Sequence, residues 1–180
     1  MTKIPPIIWT YWHDSQLPPF VSRCIDSWKR FNYTVTVLSE ENKHQYIDRP
    51  VPQGYHDLTY QQMADWCRIA VIAQHGGFWL DANIILNQCL SSWAPHQVDF
   101  FGFTSIEPST PGQIEDWFFG APPQSKLMHD WLEEFEKAIS MGDTVYCEYV
   151  KKNKLTTVAY GGMPYLFHQL SLLVVMEHYQ

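Results

Sequence analysis

Residues 59–86 hold a helix that stops at two glycines and passes at once into a strand. Thr59 followed by Gln62 has the pattern of a capping box at the helix start. Met63, Trp66, Cys67, Ala70 and Val71 then recur at helical spacing as far as Gln74. His75-Gly76-Gly77 ends the helix, because glycine suits the turn at a helix C-terminus. The apolar run over 78–86 reads as a strand interrupted by polar residues. The two glycines let the chain reverse sharply, so this strand starts close beside the helix it leaves.

The same alternation opens the chain. The run from Ile7 to Trp12 is β-branched and aromatic and reads as a buried strand. Phe20, Cys24, Ser27, Trp28 and Phe31 follow at helical spacing, with Asn32 as the stop, and residues 33–38 alternate as a second strand. Residues 39–58 are polar, with short helical stretches. Another helix spans about 125–140, with Leu127, Met128, Trp131, Leu132 and Phe135 on one face, and the last helix begins at Pro164. Strands alternating with helices predict an α/β fold with a mostly parallel central sheet flanked by helices. Ligands in such sheets sit at the carboxyl ends of strands, here near Trp9 and Asp81.

The 180 residues suit a single compact domain. A formal charge of −7 offers no basic footprint for nucleic acid. The longest apolar stretches, 69–73 and 172–176, are far short of a membrane span, and the N-terminus lacks a signal-peptide pattern. The four cysteines have no CxxC spacing, so they read as reduced cytoplasmic thiols without zinc.

The chemistry concentrates around the glycine pair. Asp65 and Arg68 are three apart and share a helix face. Asp81 and Asn83 are two apart, so in an extended segment they point to one side. A carboxylate beside an amide oxygen is a hard donor set, suited to Mg²⁺ or Mn²⁺ with phosphate oxygens completing the shell. Two plainer readings compete: Asp81 and Asn83 suit a turn at a strand end, and Asp65–Arg68 suits a surface ion pair.

Taken together, Ala64-Asp65-x-x-Arg68, Gly76-Gly77-aromatic-x-Leu80-Asp81-x-Asn83 and the opening Ile4-Pro5-Pro6-Ile7-Ile8-Trp9 resemble the capsular polysaccharide synthesis and glycosyltransferase family 32 group of GT-A sugar transferases. Residues 116–121 and the amphipathic helix after them resemble it too. The resemblance implies a GT-A domain over 1–180, with residues 1–90 on the nucleotide-sugar side and 91–180 on the acceptor side. It implies a sugar moved from a nucleotide-sugar donor, most simply a UDP-sugar, to a saccharide acceptor in glycan synthesis. Asp65 and Arg68 would serve the nucleotide, and Asp81 and Asn83 would hold Mn²⁺ or Mg²⁺ and the diphosphate. Asn83 departs from the second acid of that Asp-x-Asp motif, so a non-catalytic nucleotide- or carbohydrate-binding module with a decayed motif is the rival reading. The chain is shorter than most such enzymes, which leaves room for another domain or chain to complete the acceptor site.

Four further expectations concern single residues. Trp9, Thr10, Tyr11 and Trp12 end the first strand, and Thr10 to Trp12 wall a base by stacking. His168 is a candidate third metal ligand, as late histidines are in GT-A enzymes. Glu115 and Asp116 precede the apolar run Trp117-Phe118-Phe119 and are candidates for the general base of an inverting transfer. Partial burial at a strand edge is expected to raise their pKa.

Overall fold

The computed structural model describes residues 3–106, 113–156 and 166–179. β1 (Ile7–Tyr11), α1 (Pro19–Lys29) and β2 (Thr34–Leu38) form the expected crossover, with β1 and β2 parallel. The turn after α1 passes through Asn32 at a φ of 58°, a conformation asparagine tolerates well. α2 (Tyr60–His75) carries the capping box in full. The Thr59 hydroxyl accepts from the Gln62 backbone N–H, and the Gln62 amide oxygen accepts from the Thr59 N–H. β3 (Gly77–Leu80) follows and pairs parallel with β1. Gly76, with φ +66°, is required between them, because a Cβ there would lie 2.4 Å from the Pro123 nitrogen.

The sheet has the order β2-β1-β3-β5-β4 and is mostly but not wholly parallel. β5 (Ile114–Ala121) runs antiparallel to β3 and to β4 (Phe101–Thr104). The link between β4 and β5, residues 105–113, is too short for a parallel crossover, which needs a dozen residues or more. β3 is also shorter than the expected 78–86. The chain turns after Leu80, with the Ile84 N–H donating to the Asp81 carbonyl at 3.0 Å. The backbone beyond is taken up by α1. Trp28 donates to the Ile84 carbonyl (2.8 Å), Arg30 to the Leu86 carbonyl (3.1 Å), and the Ser27 hydroxyl accepts from the Leu86 N–H (3.0 Å).

Three helices complete the domain: α3 (Lys126–Met141), α4 (Asp143–Asn153) and α5 (Phe167–Met176). Pro164, expected to begin the last helix, lies outside the described residues. α4 has no counterpart in the sequence reading, since only Tyr146 and Val150 of its residues are buried and its apolar stripe is thin. The two faces of the sheet bury separate cores. Trp66, Trp79, Trp131 and Phe135 lie on the side of α2 and α3, and Ile8, Trp28, Phe78 and Phe118 on the side of α1. α2 is buried on nearly every face, which places its two charged residues inside the protein.

Candidate functional site

The carboxyl ends of β1 and β3 open onto a cleft of about 270 Å³. Thr10, Tyr11 and Trp12 line one side, Ala64 and Arg68 of α2 the back, and Trp79, Asp81 and Asn83 the other. His13, just past the end of β1, lines it too, as its strand-end position predicts, and Tyr60, Gln61 and Trp79 are lining residues that the sequence did not single out. The His13 and Tyr60 rings stack at the mouth, 4.5 Å apart and within 17° of parallel. The only sequence signal for Tyr60 is its position at a helix start.

Trp9 is a correction. It is buried in the core rather than in the cleft wall. Its indole N–H donates to the Gly76 carbonyl (2.9 Å), and its ring stacks on His75 (5.5 Å). The alternation of β1 and the need to satisfy a buried indole N–H put it there.

Behind the cleft, four elements converge on Arg68. Arg68 and Asp65 are 6% and 5% exposed, so their pairing at 2.9 Å is a buried ion pair rather than a surface one. The guanidinium also bonds the Asp116 carboxylate of β5 at 2.7 Å and the Asp116 carbonyl at 2.9 Å. It lies 3.6 Å from Asp81 and over the Trp79 ring. His168 of α5 completes the group: Nδ1 lies 3.1 Å from Asp65, and Nε2 bonds the Asp116 carboxylate. One guanidinium thus faces three carboxylates, drawn from α2, β5 and the end of β3.

The titration behaviour follows from this packing. Burial pushes Asp65 and Asp81 above the usual carboxylate range, and nearby Arg68 and His168 offset this only in part. Burial would do the same to Asp116, but Arg68 and His168 together hold it well below that range. This reverses the expectation of a raised Asp116, and a carboxylate held so low is a weak proton acceptor. Burial opposes a charged His168, but Asp65 and Asp116 outweigh it and raise its pKa.

A raised histidine adds stability that is present below its ordinary value of 6.5 and lost as pH rises through the folded one. His168→Gln is therefore expected to cost about 2 kcal/mol near pH ~6. The difference from wild type should shrink toward pH ~9. Urea unfolding of both proteins across this range measures it, and a difference that grows with pH would overturn the assignment.

Asp81 and Asn83 occupy a turn rather than an extended segment, yet both still line the cleft. One Asp81 oxygen accepts from the Trp79 indole N–H at 2.9 Å. The other has no partner among the described residues. An open carboxylate oxygen with an exposed amide oxygen beside it fits a hard divalent cation. His168 does not join this pair. The histidine-containing cluster is Asp65, Asp116 and His168, and a cation there would have to displace Arg68 from two carboxylates. Glu115 takes no part in the cluster; only its neighbour Asp116 does. Glu115 lies where β5 shifts register against β4, and Ile114 and Asp116 on either side of it face α2 and α5.

The capsular polysaccharide synthesis protein family matches this chain over residues 1–171. The chain belongs to that family. Among curated proteins of similar sequence, the O-glycosyltransferase PaGT of Phomopsis amygdali is 27% identical over 174 residues, 82% of this chain. The O-glycosyltransferase braB of Annulohypoxylon truncatum is 25% identical over 156 residues, 72% of this chain. The chain spans 42% and 37% of the lengths of these two relatives. Among solved structures, the PaToxG glycosyltransferase aligns with 98% of this chain and 78% of its own, with a TM-score of 0.58 at 14% identity. The family member described here thus has a glycosyltransferase fold. No helix among the described residues is long and apolar enough to cross a membrane.

Proposed function

We propose that this chain is a sugar-transfer domain. It takes a nucleotide-sugar, in the simplest reading a UDP-sugar, as donor and a saccharide as acceptor. The observation that carries the reading is the charge balance of the cleft. Among the described residues, Arg68 is the one side chain of fixed positive charge lining it, and Asp65, Asp81 and Asp116 already surround that charge. A diphosphate entering alone meets no spare positive charge. Asp81 and Asn83 would hold the Mn²⁺ or Mg²⁺ that supplies it, and the cation would neutralise charge on the departing diphosphate.

The other residues of the site bind and orient. Arg68 is a fixed fork held by Asp65 and Asp116, and His168 braces both of those carboxylates. Thr10, Tyr11 and Trp12 give the base a wall. Asp116 is a positioning residue rather than a proton acceptor, because Arg68 and His168 keep it ionised.

Release of UDP from a panel of UDP-sugars, with Mn²⁺, with Mg²⁺ and with EDTA, tests the reading. Cation-dependent release supports it. Tight UDP binding with no release under any condition would instead favour the non-catalytic module.

A further inference from the structure

Trp117 follows Asp116 on β5, and its side chain leaves the opposite side of the sheet. Five rings meet there: Trp93, Phe101, Phe103, Trp117 and Phe118. Phe103 stacks on Trp117 (5.3 Å, 16°) and on Trp93 (6.1 Å, 21°). The stack is not sealed, since Trp93 is 41% and Phe103 36% exposed. β4, which carries Phe103, is an edge strand of the sheet formed by the described residues. Exposed aromatic surface of this kind marks binding sites more often than it marks a core.

Two observations tie the stack to a ligand. The first is its place: the Asp81 N–H donates to the Trp117 carbonyl at 2.9 Å, so the rings begin one backbone bond from the cleft. The second is Glu115, two residues before Trp117 on β5. It is partly buried and has no hydrogen-bond or ion-pair partner among the described residues. Its neighbour Asp116 is fully engaged. Flat apolar faces beside a carboxylate with open acceptor oxygens match the two surfaces of a pyranose: a C–H face that lies on rings and hydroxyls that donate.

We propose that Trp93, Phe103, Trp117 and Glu115 form the subsite for the acceptor sugar, a neutral hexopyranoside. The proposal rests on the sugar-transfer reading and names where its second substrate lies. An apolar acceptor would cover Glu115 and give its carboxylate nothing in return. A polyanionic acceptor would meet Glu115 and a chain of net charge −7.

The test is ligand-observed NMR on the whole chain with methyl glucoside, methyl galactoside, methyl mannoside and cyclohexanol as probes. UDP affinity with Mn²⁺ is measured by calorimetry on the same samples. At least one glycoside should bind with millimolar affinity, and Phe103→Ala and Glu115→Gln should each weaken it by roughly fivefold or more. UDP affinity should stay within about twofold of wild type, which shows that both variants are folded. Failure of all three glycosides to bind, equal binding by both variants, or stronger binding of cyclohexanol overturns the subsite. The sugar-transfer reading fails on a different result, the absence of UDP release from the wild-type protein.

Discussion

Asp81→Ala is expected to abolish the Mn²⁺-dependent part of UDP binding, a loss of roughly a hundredfold or more in affinity. β3 ends at Leu80 because the backbone beyond it is bonded by α1, and this leaves Asp81 on a turn at the lip of the cleft. One of its oxygens is fixed by the Trp79 indole, and the other is open. Burial disfavours its charged form, so a cation gains an anion that the protein neutralises only in part. Removing the side chain also leaves the Trp79 N–H without an acceptor, at a cost of about 1–2 kcal/mol. Asp81→Asn is the paired variant: it keeps an oxygen for Trp79 and drops the charge. Asn83→Asp should act in the other direction and tighten Mn²⁺ binding by adding charge. Calorimetry of UDP binding with Mn²⁺ and with EDTA reads all three. Unchanged affinity in Asp81→Ala and Asp81→Asn would remove Asp81 from the site.

What the sequence revealed follows the range of the interactions involved. α2 was legible from its cap to its glycines because its signals are local: Thr59 with Gln62, a stripe at helical spacing, and Gly76-Gly77. Asp65 and Arg68 stood out for the same reason, but their burial did not, since a buried and an exposed i,i+3 pair have the same spacing. The bond from Arg68 to Asp116 spans 48 residues, and that from His168 to Asp116 spans 52. No periodicity encodes such contacts, so Asp116 read as a free base and His168 as a metal ligand. The direction of β5 was hidden as well, because inward–outward alternation is the same for parallel and antiparallel strands. Trp9 was misplaced because its deciding partner, the Gly76 carbonyl, is 67 residues away.

Arg68→Ala is expected to destabilise the fold as well as weaken UDP binding, by about 3–5 kcal/mol at neutral pH. Among the described residues, the guanidinium is the only fixed positive charge within ion-pair distance of Asp65, Asp81 and Asp116. Without it, three carboxylates remain around a buried cavity with only His168 to offset them. Arg68→Lys should recover part of the loss, since a single ammonium cannot bond two carboxylates and the Asp116 carbonyl as the fork does. The sign is testable through the partners. Asp116→Asn alone should destabilise by removing the ionised partner of Arg68, whereas Asp116→Asn added to Arg68→Ala should restore stability by removing an uncompensated charge. Urea unfolding of the two single variants and the double variant measures this coupling. Additive losses would mean that Arg68 holds the fold by packing against Trp79 rather than by charge.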